Sequence, residues 1–259
     1  MMTLSESTEL AASIRALETV EVLHALRKPP LECLRPNVWE SMLSRRAKAT
    51  FYTVAGPLMR LNGLLYFYLR APHKGNLRVH LGPGQKNYID GWVNVDANMF
   101  TGKCDVWADL RSSLPFHDET VEAMYSHHVI EHLPNLPFHF AEVYRCLRPG
   151  GMYRVGGPNG DSAIVKFVEN DKSWFSDFPD KRESIGGRFE NFIFCRKEHL
   201  TILTFSFLEE LMSNAGFVEI CRCLPGKESS DVGRFQACLQ KEDESDFDNP
   251  HTLIVEARK

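Results

Sequence analysis

Asn76-Leu77-Arg78-Val79-His80-Leu81-Gly82-Pro83-Gly84 is followed, five residues later, by Asp90-Gly91-Trp92-Val93-Asn94-Val95-Asp96. The order is an apolar strand, a glycine turn, a short connection, a second turn, and a strand that ends in an acid. Glycine at 82 and 84 lets backbone approach a ligand where a β-carbon would collide. An aspartate at the tip of the next strand is placed to accept hydrogen bonds from a ribose diol. The pattern predicts a nucleoside site.

Which nucleoside follows from what the stretch lacks. A dinucleotide fingerprint has a third glycine where this chain has Asn87, and residues 85–91 leave no room for a long helix. Without a helix N-terminus the usual reason to bind pyrophosphate is gone. S-adenosylmethionine (SAM) carries no phosphate and needs only close backbone, a ribose acceptor and an adenine pocket, so SAM is the expected cofactor. A chance Gly-x-Gly turn between buried strands is the competing reading.

Further signals downstream agree. Leu81-Gly82-Pro83-Gly84, Gly91-Trp92-Val93-Asn94-Val95-Asp96, Ala108-Asp109-Leu110, Leu114-Pro115-Phe116, His128-Val129-Ile130-Glu131-His132-Leu133, Arg145-Cys146-Leu147-Arg148-Pro149-Gly150-Gly151 and Pro158-Asn159 resemble class I SAM-dependent methyltransferases of the type 11 kind. The nearest likeness is to the methyltransferases found with polysaccharide and other glycan genes. It spans about residues 77–160 strongly and 253–259 weakly. Pro83 departs from the small residue or cysteine common there, but it stiffens the turn without needing a positive φ. The resemblance implies a Rossmann-like α/β fold: a seven-stranded, mostly parallel sheet, helices on both faces, the last strand antiparallel. It also implies a cofactor site of Leu81, Gly82, Pro83, Gly84, Asp96, Asp109, Leu110 and His127. Asp109 and the Leu110 backbone would then meet adenine, accepting from its amine and donating to a ring nitrogen; in the bland reading Asp109 caps a loop.

With 259 residues, 43% hydrophobic and 25% charged, the chain suits one α/β domain with an appendage. The net charge of -4 hides an asymmetry: residues 41–89 hold eight Lys or Arg and no acid, leaving 22 basic against 34 acidic residues elsewhere. Seven scattered cysteines predict reduced thiols and a cytoplasmic protein. No signal peptide is expected, and Arg60, Asn62 and Gly56-Pro57 argue against a spanning helix between residues 51 and 69.

Residues 1–75 read as an N-terminal helical cover, with amphipathic patterns over 8–26 and 38–68, the second broken at Gly56-Pro57. The latter places Phe51, Val54, Ala55, Leu58, Leu61 and Leu65 on one side, which predicts either packing on the sheet or, with the basic residues of 41–70, reversible docking on the inner face of a membrane. Residues 76–259 read as the methyltransferase domain. Strands are expected over 77–81, 92–95, 105–108, 121–126, 152–155, 217–223 and 252–257. Helices are expected from His127 to Pro134, over 137–147, and from a Ser206-to-Glu209 capping box to Gly216. Residues 160–199, rich in Trp174, Phe175, Phe178, Phe189, Phe192 and Phe194, interrupt that rhythm and read as an acceptor lid.

Methyl transfer needs two positioned reactants and removal of a proton from the acceptor. His127 or His128, after the fourth strand, is the candidate base; alternatively His127 only packs along the cofactor. His128-x-x-Glu131-His132 resembles the Glu-x-x-Glu-His site of metal-dependent RNA and quinone O-methyltransferases. Glu-His-Leu also occurs in methyltransferases without metal, so no metal is expected. The expected reaction is methylation of an O or N atom of a small metabolite, a sugar or glycan-related acceptor. The rivals are a metal-dependent RNA or quinone methyltransferase, disfavoured for RNA by the lack of a recognised RNA module, and an inactive SAM-fold binding protein.

Overall fold

The computed structural model describes residues 37–72, 75–98 and 102–259. The chain divides into two compact units, Met1–Thr50 and Phe51–Lys259. The helix expected over 8–26 lies outside the described residues.

Apolar residues bounded by turns form the strands β1 (Leu77–Leu81), β2 (Val93–Asp96), β3 (Val106–Trp107), β4 (Val121–His127), β5 (Leu147–Pro158), β6 (Val218–Cys223) and β7 (Thr252–Arg258). They make one sheet in the order β3-β2-β1-β4-β5-β7-β6. The pairings from β3 across to β5 are parallel, whereas β7 runs antiparallel to both β5 and β6. The seven-stranded sheet expected from the sequence is therefore present, with β7 inserted inside the edge strand β6. Alternation along the strands divides the core between the two faces. Val79, Leu81, Val95, Met124 and Val155 pack with Phe140 and Val143 of α2 (Leu136–Cys146) and Leu208 and Met212 of α5 (Phe205–Asn214). Tyr125 and Met152 pack with Trp92 and with Phe235 of α6 (Val232–Leu239).

Two buried polar residues fasten this sheet. Asn94 donates to the carbonyls of Ile89 and Trp92 and accepts from the Ile89 N–H, closing the turn before β2. Arg154, fully buried in β5, donates from Nε and Nη2 to Glu242 at 2.7 and 2.5 Å, and from Nη1 to Glu256 of β7 at 2.6 Å. Glu256 also accepts from the Ser229 hydroxyl and from the Ser230 hydroxyl and N–H. Every charge in this cluster has a partner, as burial requires.

Several elements differ from expectation. The helix α1 (Asn37–Leu69) runs through Pro57 without ending there. Tertiary anchoring on both sides of the proline outweighs the missing N–H: Ala55 and Met59 are buried, and Asn62 donates to the Trp107 carbonyl at 2.8 Å. The face it buries is Ala55-Met59-Gly63, which shares only Ala55 with the stripe read from the sequence. Val54, Leu58, Leu61 and Leu65 are 50–67% exposed. Residues 127–133 are not helical. His127 ends β4, His128 has φ +55°, and a single 3₁₀ turn, Ile130–His132, precedes α2. Pro134 disfavours a helical Leu133, whose ψ is 130°, and Asn135 caps α2.

The segment 160–199 is structured rather than loose. It forms α3 (Gly160–Val168) and α4 (Ile185–Phe194), and Trp174, Phe175 and Ile193 are buried with Ala163 in a small core of their own. Trp174 stacks on His251 at 4.2 Å and donates to the Asn249 carbonyl at 2.8 Å, tying the segment to the loop before β7. The cap of α5 is Thr204, two residues earlier than Ser206. The acidic stretch before β7 hides α6, capped by Asp231. β5 begins at Leu147 rather than 152: Leu147 pairs with Val121 of β4, and Gly150 and Gly151 share backbone hydrogen bonds with Lys259.

Candidate active site

β1 delivers the glycine turn and β2 delivers the acid, and backbone hydrogen bonds join them. The Gly82 N–H donates to the Val95 carbonyl at 2.8 Å, and the Gly84 N–H donates to Asp96 Oδ2 at 2.8 Å. Asp96 Oδ1 accepts from the Asn98 N–H, also at 2.8 Å. Each carboxylate oxygen keeps a further lone pair for an incoming hydroxyl. Gly82 and Gly84 have φ of +70° and +57°, the left-handed region that favours glycine. Their surroundings differ. A β-carbon on Gly82 would lie 2.4 Å from Val129 Cγ2, whereas one on Gly84 would meet no atom of the described residues within 4 Å. Gly82 is required by the protein's own packing, and Gly84 faces open space. Leu81 and Pro83 are buried on either side of Gly82, and residues 84–86 form only a turn, so no helix N-terminus points at the site.

The second group follows β3. The Ala108 N–H donates to the Asp96 carbonyl at 3.1 Å, which sets Asp109 and Leu110 beside the end of β2. Both are buried. Arg111 grips Asp109 with Nε to Oδ1 at 2.8 Å and Nη2 to Oδ2 at 2.7 Å, and its guanidinium lies 3.4 Å above the Tyr52 ring. Burial pushes the Asp109 carboxyl up, but the hydrogen bonds and charge of Arg111 outweigh it and hold the group below its ordinary value. Arg111 and Tyr52 were not read from the sequence. The Asp-x-Arg spacing was a signal for the first; nothing local marked the second. A cleft of about 650 Å³ lined by Met59, Gly63, Phe67, Asp109, Arg111 and Arg145 reaches this group, but Gly84, Asp96 and His127 do not line it.

The third group ends β4. His127 is half-buried, stacked on Tyr125 and edge-on to His128 at 4.5 Å, and its buried Nε2 has no hydrogen-bond partner among the described residues. Burial first, then the charges of His128, His80 and Arg154, push its pKa down to about 3, so the ring is neutral and a poor proton acceptor. His128 differs. Its side chain is 44% exposed, Nδ1 lies 3.3 Å from Glu131 Oε1, and Nε2 lies 3.3 Å from the Thr252 hydroxyl. Its left-handed backbone turns it out of the strand toward β7. The helix that would have lined up His128, Glu131 and His132 does not form, so the sequence triad is not brought together.

Residues 94–155 match a protein family described as a methyltransferase domain. That match contains Asp96, Asp109, Leu110, His127 and His128, and the sheet around it has the expected strand order with the antiparallel β7. Across residues 94–155 the chain is similar to methyltransferase domains, whose cofactor is SAM. Solved structures similar to this chain include that of a SAM-dependent methyltransferase from Thermotoga maritima, 16% identical, covering 85% of this chain and 99% of its own, with a TM-score of 0.47. Another, from Archaeoglobus fulgidus, is 15% identical over 81% of this chain and 100% of its own, with a TM-score of 0.44. A phosphoethanolamine N-methyltransferase from Haemonchus contortus, solved with SAM, is 15% identical over 76% of this chain and 51% of its own, with a TM-score of 0.44. Likeness at this level says nothing of this methyltransferase's acceptor. No curated protein matches the sequence.

Proposed function

We propose that this methyltransferase moves the SAM methyl group to an oxygen or nitrogen of a small metabolite, a sugar or glycan-related acceptor. The observation that carries the cofactor reading is the Gly84–Asp96 pair: a carboxylate fixed by two backbone N–H groups, with spare lone pairs, beside a glycine that faces open space. Asp96 accepts the ribose hydroxyls, and Leu81 to Gly84 supply close backbone. Asp109, with one lone pair of Oδ2 left by Arg111, and the Leu110 N–H read adenine. Bound SAM supplies an electrophilic methyl on a sulfonium. His127, neutral and unpaired, lines the cofactor. His128 is the better base of the two: it can exchange its Thr252 contact for the acceptor hydroxyl or amine, and Glu131 stabilises the imidazolium that forms. The glycan assignment is supported by the resemblance of the motifs, and the segment 160–199, at the carboxyl edge of the sheet, is the proposed acceptor cover.

The test is transfer of labelled methyl from SAM into a cell extract split into glycan, lipid and RNA fractions. Label is expected in the glycan or small-molecule fraction. Asp96→Ala should weaken SAM binding by about 1–3 kcal/mol in calorimetry, the loss of a partly buried acceptor. Label confined to RNA would overturn the acceptor class, and SAM binding without any transfer would make the protein a binding module.

We also propose that the exposed face of α1 rests on an anionic membrane surface. Val54, Leu58, Leu61, Leu65, Tyr68 and Leu69 are all at least half exposed, Arg60 and Arg70 are exposed too, and residues 41–70 hold no acid. No helix of the described residues is long and apolar enough to cross a membrane, but lying flat does not require that length. Each basic residue near the surface adds about 1 kcal/mol of attraction to anionic lipid. Co-sedimentation is expected with anionic but not neutral vesicles, weakened by salt and by Leu58→Glu. Equal recovery with and without vesicles at low salt would end this reading.

A further inference from the structure

A second cluster of chemistry-bearing side chains forms where the turn after β4 meets the chain that follows α4. Glu131, His132 and His199 each place one metal-ligating atom within 4.8 Å of the other two. Glu131 is 1% exposed; His128 holds its Oε1, and its Oε2 has no hydrogen-bond partner among the described residues. A buried carboxylate oxygen in that condition is costly unless a cation meets it.

Both imidazoles are held by backbone carbonyls through Nδ1. His132 Nδ1 lies 2.9 Å from the Glu198 carbonyl, and His199 Nδ1 lies 2.8 Å from the Ile193 carbonyl. A carbonyl only accepts, so in each ring Nδ1 carries the hydrogen and Nε2 keeps its lone pair. Backbone carbonyls commonly fix metal-binding histidines in this way. The two rings meet edge to face, with centroids 4.9 Å apart.

We propose that Glu131, His132 and His199 bind one divalent transition-metal ion. Two neutral imidazoles and one carboxylate suit zinc or iron(II) far better than magnesium or calcium, which take oxygen ligands. Three protein ligands leave a position open for water or for an oxygen of the acceptor. An acceptor hydroxyl held there would give up its proton more readily. That role rests on the methyl-transfer reading; occupancy of the site does not. The set also differs from the sequence triad. His128 is engaged with Glu131 and Thr252, and His199, from the segment after α4, takes the third place, which no spacing within residues 128–132 could show.

Chelator-stripped protein titrated with Co²⁺ and with Zn²⁺ tests this. One ion per chain is expected, with visible d–d absorption from Co²⁺ in a mixed nitrogen and oxygen site. His132→Gln and His199→Gln should each weaken binding at least about tenfold. SAM affinity, measured by calorimetry on the same samples, reports the fold and the cofactor site separately and should stay close to the parent value. A parent that takes up no stoichiometric Co²⁺ or Zn²⁺, or variants that bind both as tightly as the parent, would overturn the proposal. Metal uptake without SAM affinity would leave the metal site standing and remove the cofactor reading.

Discussion

Arg154→Met is expected to lower the unfolding free energy by about 3–5 kcal/mol, because removing one member of a buried ion cluster leaves the others charged and unpaired. Glu242 and Glu256 lose their guanidinium together, and neither side chain reaches solvent. Since a domain's whole stability is about 5–15 kcal/mol, the variant sits near the limit of folding. Urea denaturation measures the loss. Adding Glu242→Gln and Glu256→Gln to the variant should recover part of it, since the stranded charges are what cost most; a single variant as stable as the parent would refute the argument. Acid should act in the same direction. Burial raises the Glu256 carboxyl, but its bonds from Ser230 and Ser229 and the charge of Arg154 lower it more, so its folded pKa lies below the ordinary value. The stability it contributes is therefore complete above the ordinary carboxylate range and is lost as pH falls through the folded value.

Gly82→Ala should damage both stability and cofactor binding. An L-residue at φ +70° costs about 1–2 kcal/mol, and forcing a methyl into packed neighbours costs about 1–3 kcal/mol. The neighbour here is Val129 Cγ2, 2.4 Å from the new carbon, and Val129 is itself buried. Its displacement passes into the turn that carries His128, so SAM affinity should fall with stability. Combining Gly82→Ala with Val129→Ala isolates the two causes. The steric part should return and the backbone part should not. If the single variant matches the parent in denaturant and in calorimetry, the close approach has been misjudged.

What the sequence made legible was whatever local rules decide. The Gly82–Gly84 turn and Asp96 were readable because a left-handed backbone and a strand-end acid are short-range requirements, and the strands because apolar alternation survives in every context. What failed was decided by tertiary contacts. Of the stripe Phe51-Val54-Ala55-Leu58-Leu61-Leu65 only Ala55 is buried; Met59 and Gly63 join it, and these small or flexible residues permit close packing against residues 107–117. Pro57 is tolerated for the same reason. Residues 127–133 scan as helix, yet His128 adopts a positive φ to reach Thr252 of a strand distant in sequence. Arg154 and His199 matter through partners far along the chain, and one sequence carries no mark of such pairings.

The place of β7 inside β6 has a consequence for the order of events during synthesis. β5 has no neighbour on its outer side until residues 252–258 have left the ribosome, and β6, already made, waits for the same strand. The contact that locks them, Arg154 to Glu256, joins residues 102 positions apart. Closing so long a loop is slow, and an open strand edge is a template for pairing with other chains. Throughout that interval the nascent protein presents β5 as an unsealed edge, so its exposure to misassembly is set by how fast β7 arrives.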